Sequence, residues 1–202
     1  MKRSQSRGRT RWARFAGVFG LGLAGAALLL TGLSQGALAA SFTVSGGTFK
    51  ISADRLVGEG FVQYGDVDQG ADGAHAVAVG AFRKATLDNF CQSVFLPKVP
   101  VVGDITLVLA SGGPGGMEAT DIIIGIASLT GDLLLTDTQI GIDAALLSKG
   151  PEAAKGRAGS FGLQADHATI GQLRQTAWST NAQTLRLKNL ALSLRSGQNE
   201  CF

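Results

Sequence analysis

Short apolar runs, rich in β-branched residues and cut by glycine or asparagine, leave this chain little choice but a β-fold. Phe49-Lys50-Ile51-Ser52, Phe61-Val62-Gln63-Tyr64, Ala76-Val77-Ala78-Val79, Ile105-Thr106-Leu107-Val108-Leu109, Ile122-Ile123-Ile124 and Leu133-Leu134-Leu135 have strand length and strand composition. Thr184-Leu185-Arg186-Leu187 and Leu190-Ala191-Leu192-Ser193-Leu194 alternate with period two, as half-buried strands do. Few windows carry a helical period, and Ala144 to Leu147 is one possible helix. Several runs are apolar at consecutive positions and need cover on both faces. The sequence therefore predicts an all-β single domain of short strands, arranged as a two-layer sandwich or as an irregular solenoid-like sheet.

A loose repeat bears on the solenoid option. Leu56-Val57-Gly58, Leu87-Asp88-Asn89, Leu129-Thr130-Gly131 and Leu187-Lys188-Asn189 share one form, an apolar residue, a spacer, then Gly or Asn. Gly and Asn tolerate the left-handed backbone that turns require. The spacings are unequal, so the units read equally well as ordinary strand-to-turn boundaries.

The first 39 residues have the order of an export signal. Lys2, Arg3, Arg7, Arg9, Arg11 and Arg14 form a basic start, Ala16 to Leu33 an apolar run, and Gly36-Ala37-Leu38-Ala39 a small-residue cleavage region. The expected division is a signal peptide at 1–39, helical in its apolar part, and a secreted β-domain at 40–202. An uncleaved signal would be a membrane anchor, since its run lies at the short edge of the roughly 17–25 residues that span a bilayer. The leader holds six of the 18 basic residues and none of the 15 acidic ones, so the remainder is acidic by three charges. Nucleic acid is thereby removed from the expected partners.

Cys91 and Cys201 are the only cysteines. In an oxidising compartment such a pair is most simply a disulfide, fastening the C-terminus to the domain body. Two loops interrupt the strand pattern. Ser111 to Gly116 has no apolar side chain and reads as an exposed, mobile turn, and Lys149 to Ser160 reads as a surface crossover.

Chemistry-bearing residues are sparse. Asp66, Asp68 and Asp72 stand among glycines and could offer oxygens to Ca²⁺. The loop departs from an EF-hand, with Gly70 at a ligand position, Ala71 at the turn glycine and Val77 at the bidentate Glu; a solvated acidic loop explains it as well. Ala158-Gly159-Ser160-Phe161-Gly162 fits a variant nucleophile elbow, with Ser160 as nucleophile and His167 as a conceivable base. That elbow needs a strand before the serine and a helix after it, and this context is not evident. His75 and His167 lack the neighbours of a zinc site. Trp178, the one Trp after the leader, is expected in sheet packing or in a pocket wall. No cofactor motif is present.

A resemblance rests on Gln35-Gly36-Ala37-Leu38-Ala39-Ala40-Ser41-Phe42, Phe49-Lys50-Ile51-Ser52-Ala53-Asp54, Asn89-Phe90-Cys91-Gln92-Ser93, Gln164-Ala165-Asp166, Gln175-Thr176-Ala177-Trp178 and the ending Glu200-Cys201-Phe202. Through these the chain resembles an uncharacterised family of secreted actinobacterial proteins, a domain of unknown function. Some members carry the label cholesterol esterase, and their genes neighbour one for a small multi-pass membrane protein. The resemblance thus implies a membrane partner and names an esterase, although Gly-x-Ser-x-Gly and an oxyanion-hole signature are absent here.

Three expectations follow. Strands apolar on both faces, with 16% charged residues, suit a non-catalytic envelope protein that binds a lipid or other apolar ligand. Open strand edges would suit a surface-assembly protein. An esterase would rest on Ser160. The expected location is extracytoplasmic, secreted or held at the outer face of the cytoplasmic membrane.

Overall fold

A computed structural model describes residues 47–70 and 73–202. The expected signal or anchor at 1–39 lies outside the described residues, as does Asp72. The described part belongs to one unit, Thr43–Phe202. It contains β1 (Phe49–Gly70), β2 (Gly73–Asp88), β3 (Phe90–Val99), β4 (Gly103–Ser111), β5 (Met117–Thr136), β6 (Gln139–Asp143), β7 (Phe161–Asn181), β8 (Thr184–Leu187) and β9 (Leu190–Ser196). The expected helix at Ala144 is a single 3-10 turn, Ala144–Leu146, capped by Asp143.

The fold is all-β, as the run pattern predicts, but runs that read as separate strands are joined. Ile122-Ile123-Ile124 and Leu133-Leu134-Leu135 both belong to the 20-residue β5, and β1 and β7 span 22 and 21 residues. Glycine inside these strands does not end them; it makes room. A Cβ on Gly58 would lie 2.2 Å from the Phe82 ring, and one on Gly60, where φ is +65°, would lie 2.4 Å from the Lys149 carbonyl oxygen.

Among the described residues all strand pairings are antiparallel and belong to one nine-stranded sheet. β1 pairs with β2, β2 with β5, β5 with β7, and β7 with β1, so the sheet closes into a ring. Closure is strongly staggered. A path from Ile122 of β5 through Phe82, Phe61 and Ala165 comes back from the other side to the chain between Thr136 and Gln139. Strands in so sheared a ring must wind steeply around its axis, which is why they need their length. The second layer is supplied by the opposite wall of the same sheet rather than by a separate sheet or stacked coils.

Beyond the ring the sheet continues as a wing. β3 extends β2 past Asn89, whose φ of 51° bends the chain, and pairs with both β1 and β4. β9 then pairs with β4 and ends the sheet. Asn189, also at φ 51°, makes the matching bend between β8 and β9. The repeat units Leu87-Asp88-Asn89 and Leu187-Lys188-Asn189 therefore mark bends where ring passes into wing, not successive coils of a solenoid.

Two apolar clusters hold the sheet. The inner one lines the ring and includes Leu56, Phe61, Phe82, Met117, Ile122, Ile124, Ile170 and Leu173. The outer one is Val62, Tyr64, Val77, Val79 and Ala81, covered by Ala144, Leu147 and Ala154. Strands apolar on both faces thus find cover inside the ring and beneath a loop. Ala154 belongs to the Lys149–Ser160 segment expected to be a surface crossover, so part of that segment is a lid, together with the Ala144–Leu147 stretch before it. The segment lies flat because its glycines lack Cβ atoms, which would meet Val62 at Gly150 and Ala144 at Gly156 within 2.6 Å.

The segment Ser111 to Gly116, expected to be a mobile turn, is tied down. Gly113 N donates to Asn89 Oδ1 at 2.7 Å, Gly115 N donates to Asp88 Oδ1 at 2.6 Å, and Ser111 Oγ donates to the Gly116 carbonyl at 2.6 Å. Its own composition gave no hint of the Asp88 and Asn89 acceptors, which lie on the facing bend.

Candidate functional site: the cavities inside the ring

The inner face of the ring is apolar but incompletely filled. One cavity of about 270 Å³ is lined by Phe61, Ala78, Gly80, Ile126 and Ile170 and opens past Ser128, Leu129 and Leu133. A second, of about 60 Å³, is bounded by Ile51, Leu87, Phe90, Met117 and Leu173, extends to Leu185 and Leu187 of β8, and reaches Gln92 and Leu109 at the wing. Leu56, Phe82, Ile124 and Gln175 line both. Phe82 is therefore a partition, held by Gly58 behind it and by Phe61, whose ring centroid lies 4.9 Å away. Gln175 is 3% exposed and is the polar side chain common to both spaces.

Beside the larger cavity the pairing of β5 with β7 breaks step. The register shifts between Gly125 and Ile126, between Ile126 and Ser128, and between Thr130 and Asp132. Bulges bend a strand and re-aim its side chains. The extra residue falls on β7 in the first and third shifts and on β5, at Ala127, in the second, and Ala127, Ser128 and Leu129 line the cavity beside them.

The cysteine pair forms the expected bond. Cys91 and Cys201 are joined, with Cα atoms 5.9 Å apart. The tail they secure lies on the polar face of the wing. Cys201 N donates to Ser93 Oγ at 3.0 Å, Asn199 N donates to Thr106 Oγ1 at 2.9 Å, and Thr106 Oγ1 donates to the Gly197 carbonyl at 2.7 Å. Lys50 completes the clamp, with Nζ 3.0 Å from both Glu200 Oε2 and the Phe202 carbonyl. Burial pushes the Glu200 carboxyl up, but hydrogen bonds from Gln198 and Lys50, with the Lys50 charge, outweigh it and hold the pKa below its ordinary value.

The remaining sequence-predicted residues lie elsewhere. Asp66 and Asp68 sit on the extended end of β1, where Gly70 already pairs with Gly73. Asp66 Oδ1 accepts from Val67 N at 2.9 Å and lies 3.6 Å from Arg157 Nη2; Asp68 Oδ2 accepts from Ser179 Oγ at 2.6 Å. Among the described residues, no group of three or more His, Cys, Asp or Glu side chains could hold a metal ion. The two carboxylates do act on Tyr64: burial first, then Asp66 and Asp68, push its pKa up to about 12.

Ser160 lies on a turn that leads into a strand, the reverse of the elbow's strand-then-helix order. Its Oγ donates to the Arg157 carbonyl at 2.6 Å. His167 follows on β7, and seven residues of extended chain separate the two by about 23 Å. The structure does not bring them together. His75 stacks on Trp178 with ring centroids 3.6 Å apart, beside the outer cluster rather than in either cavity.

The cavity partition escaped sequence reasoning, because Phe82 and Gln175 are remote in sequence and neither belongs to a motif. A signal was available in Gly58, since a glycine within a strand often marks a close approach. Comparison with curated proteins finds no match, and comparison with solved structures finds none either. Residues 45–202 match the model of a family of unknown function, DUF6230, and the chain belongs to that family.

Proposed function

We propose that this chain is a non-catalytic envelope protein that holds a lipid or similar apolar ligand inside its ring. The observation that carries the reading is the pair of apolar cavities separated only by Leu56, Phe82, Ile124 and Gln175. Ligand sites are typically clefts of about 300–1,000 Å³ with few polar groups. The larger cavity approaches that size, and a rotation of Phe82 would join it to the smaller. An acyl chain suits such a lining, and the Gln175 amide offers one fixed hydrogen-bonding point. The disulfide suits an extracytoplasmic location.

The test is native mass spectrometry of the exported protein from its own host, followed by organic extraction. A stoichiometric lipid mass that disappears in Ala78→Phe, which fills the larger cavity, supports the reading. An empty protein under conditions that preserve other lipid complexes overturns it.

A second reading, assembly through strand edges with copies or with a membrane protein, draws on β9. Every residue of β9 is exposed, and Leu190 to Leu194 contain neither charge nor proline. Such an edge can add another strand. An esterase gains nothing from the position of Ser160.

A further inference from the structure

The wing has its faces reversed relative to a soluble sheet. Its polar face, with Ser93 and Thr106 fully buried, lies beneath the disulfide-bound tail. Its apolar face is the one left open. A single row of paired residues shows how this arises: Ile51 pairs with Gln92, Gln92 with Leu109, and Leu109 with Leu192. Ile51 is 5% exposed inside the ring, whereas Leu192 at the other end of the row is 64% exposed. The wing's apolar face is therefore the ring's lining, flared open. Val94, Leu107 and Leu194 form the next row, with Leu194 also exposed. The smaller cavity reaches this face at Gln92 and Leu109.

The tip of the wing adds a second, independent feature. From the end of β3 to the start of β4 the chain runs Pro97-Lys98-Val99-Pro100-Val101-Val102, and Val101 and Val102 both stand in solvent. Val101 has a φ of 71°, a conformation that β-branched residues rarely adopt. No internal packing compensates a valine there, since it has no cover. The charged side chains of β3, β4, β9 and this hairpin are Lys98, Asp104 and Arg195, all at the hairpin end, with the cations in excess. The chain also enters the sheet at this end. Lys50 pairs with Ser93 and Ser52 with Cys91, so Phe49, the first residue of β1, lies on the hairpin side of Lys50. In sequence, only a short stretch of mainly small and polar residues separates Phe49 from the apolar leader.

We propose that the open face of β3, β4 and β9, led by the Val101–Val102 tip, docks onto a lipid bilayer. The tip enters the acyl boundary, the leucine rows lie along it, and Lys98 and Arg195 stay among the headgroups, as amphipathic surface elements do. Docked in this way, the smaller cavity would open toward the membrane. That last step rests on the ligand reading above; the docking itself does not.

Flotation of the full, disulfide-intact protein with phosphatidylcholine vesicles carrying some phosphatidylglycerol tests the proposal. The wild type is expected to float with the vesicles. A Val101→Asp/Val102→Asp variant should lose vesicle affinity by about tenfold or more at unchanged thermal stability. Leu134→Asp, on the similarly exposed Leu134 of β5, should float normally. Equal losses in both variants, or no wild-type flotation, would overturn docking. So would a solution dimer that Leu192→Arg converts to monomers, coupled with no vesicle binding, because that assigns the face to a second copy. Flotation by a protein that carries no extractable lipid would leave docking standing and remove the ligand reading. Extractable lipid without flotation would do the reverse.

Discussion

Ring and wing are built from one sheet and one alternation, yet they treat the same apolar face in opposite ways. In the ring, β7 comes round to pair with β1 and encloses the lining. That pairing stops at Phe49, so β3, β4 and β9 continue with no opposing wall. Alternation specifies which face is apolar; long-range pairing decides whether it is covered. The wing is instead stabilised from its polar side, by the tail, the Lys50–Glu200 pair and the disulfide.

Removing that fastening should have the largest effect. The disulfide spans 110 residues, and in the chain-entropy model its loss costs about 4–5 kcal/mol. Denaturant unfolding of Cys91→Ser/Cys201→Ser measures this. One cooperative transition shifted by that amount would show that wing and ring unfold together. Two transitions, with the ring unaffected, would make the comparison sharper still, since the wing would then be a separately melting unit.

Next in size is the partition of the ring. Phe82 is 3% exposed, and Phe→Ala changes in cores cost about 3–5 kcal/mol. Its neighbours already border free space, so fewer contacts are lost than in a full core, and we expect Phe82→Ala in the lower half of that range. The same change would merge the two cavities. A loss below about 1 kcal/mol in thermal unfolding would mean that the ring tolerates a continuous channel.

How much of this was legible beforehand follows from the same contrast. The strands were readable because period two and β-branched runs are local properties, and Cys91–Cys201 was readable because two cysteines allow one pairing. Joined strands were not, because Gly58 and Gly60 look like breaks until the Phe82 ring and the Lys149 carbonyl occupy the space a Cβ would take. Closure was invisible too, since it depends on β7 meeting β1 across more than a hundred residues. Leu190-Ala191-Leu192-Ser193-Leu194 reads as half-buried; nothing within it shows that its apolar side stays open.

A smaller effect is expected from acid. Glu200 has a folded pKa below its unfolded value, so its contribution is fully present above the unfolded pKa of about 4.3. It is lost as the pH falls through the folded value. The Glu200 and Lys50 side chains are 11% and 28% exposed, and such a partly shielded pair is worth about 1 kcal/mol or less. Protection factors of the tail amides, which remove the pH dependence of intrinsic exchange, should therefore fall below that pH in the wild type. Glu200→Gln should already exchange faster at neutral pH and lose this part of the acid response. An identical profile in both proteins would show that the disulfide alone holds the tail.

The smallest stability effect is the most informative about the wing. Leu192→Ser removes a leucine that stands 64% exposed, and surface changes of this kind lie within about 0.5 kcal/mol. A leucine buried at the other end of the same row, at the position of Ile51, would cost several times more to truncate. Equal stability of Leu192→Ser and wild type would thus confirm that the lining is unsupported where it flares. If Leu192→Ser instead lowers the melting temperature by several degrees, the leucine rows are covered in solution, and concentration dependence of that shift would identify a second copy as the cover. If the variant melts normally but fails to float with vesicles, the leucines contribute nothing to folding and serve the membrane alone.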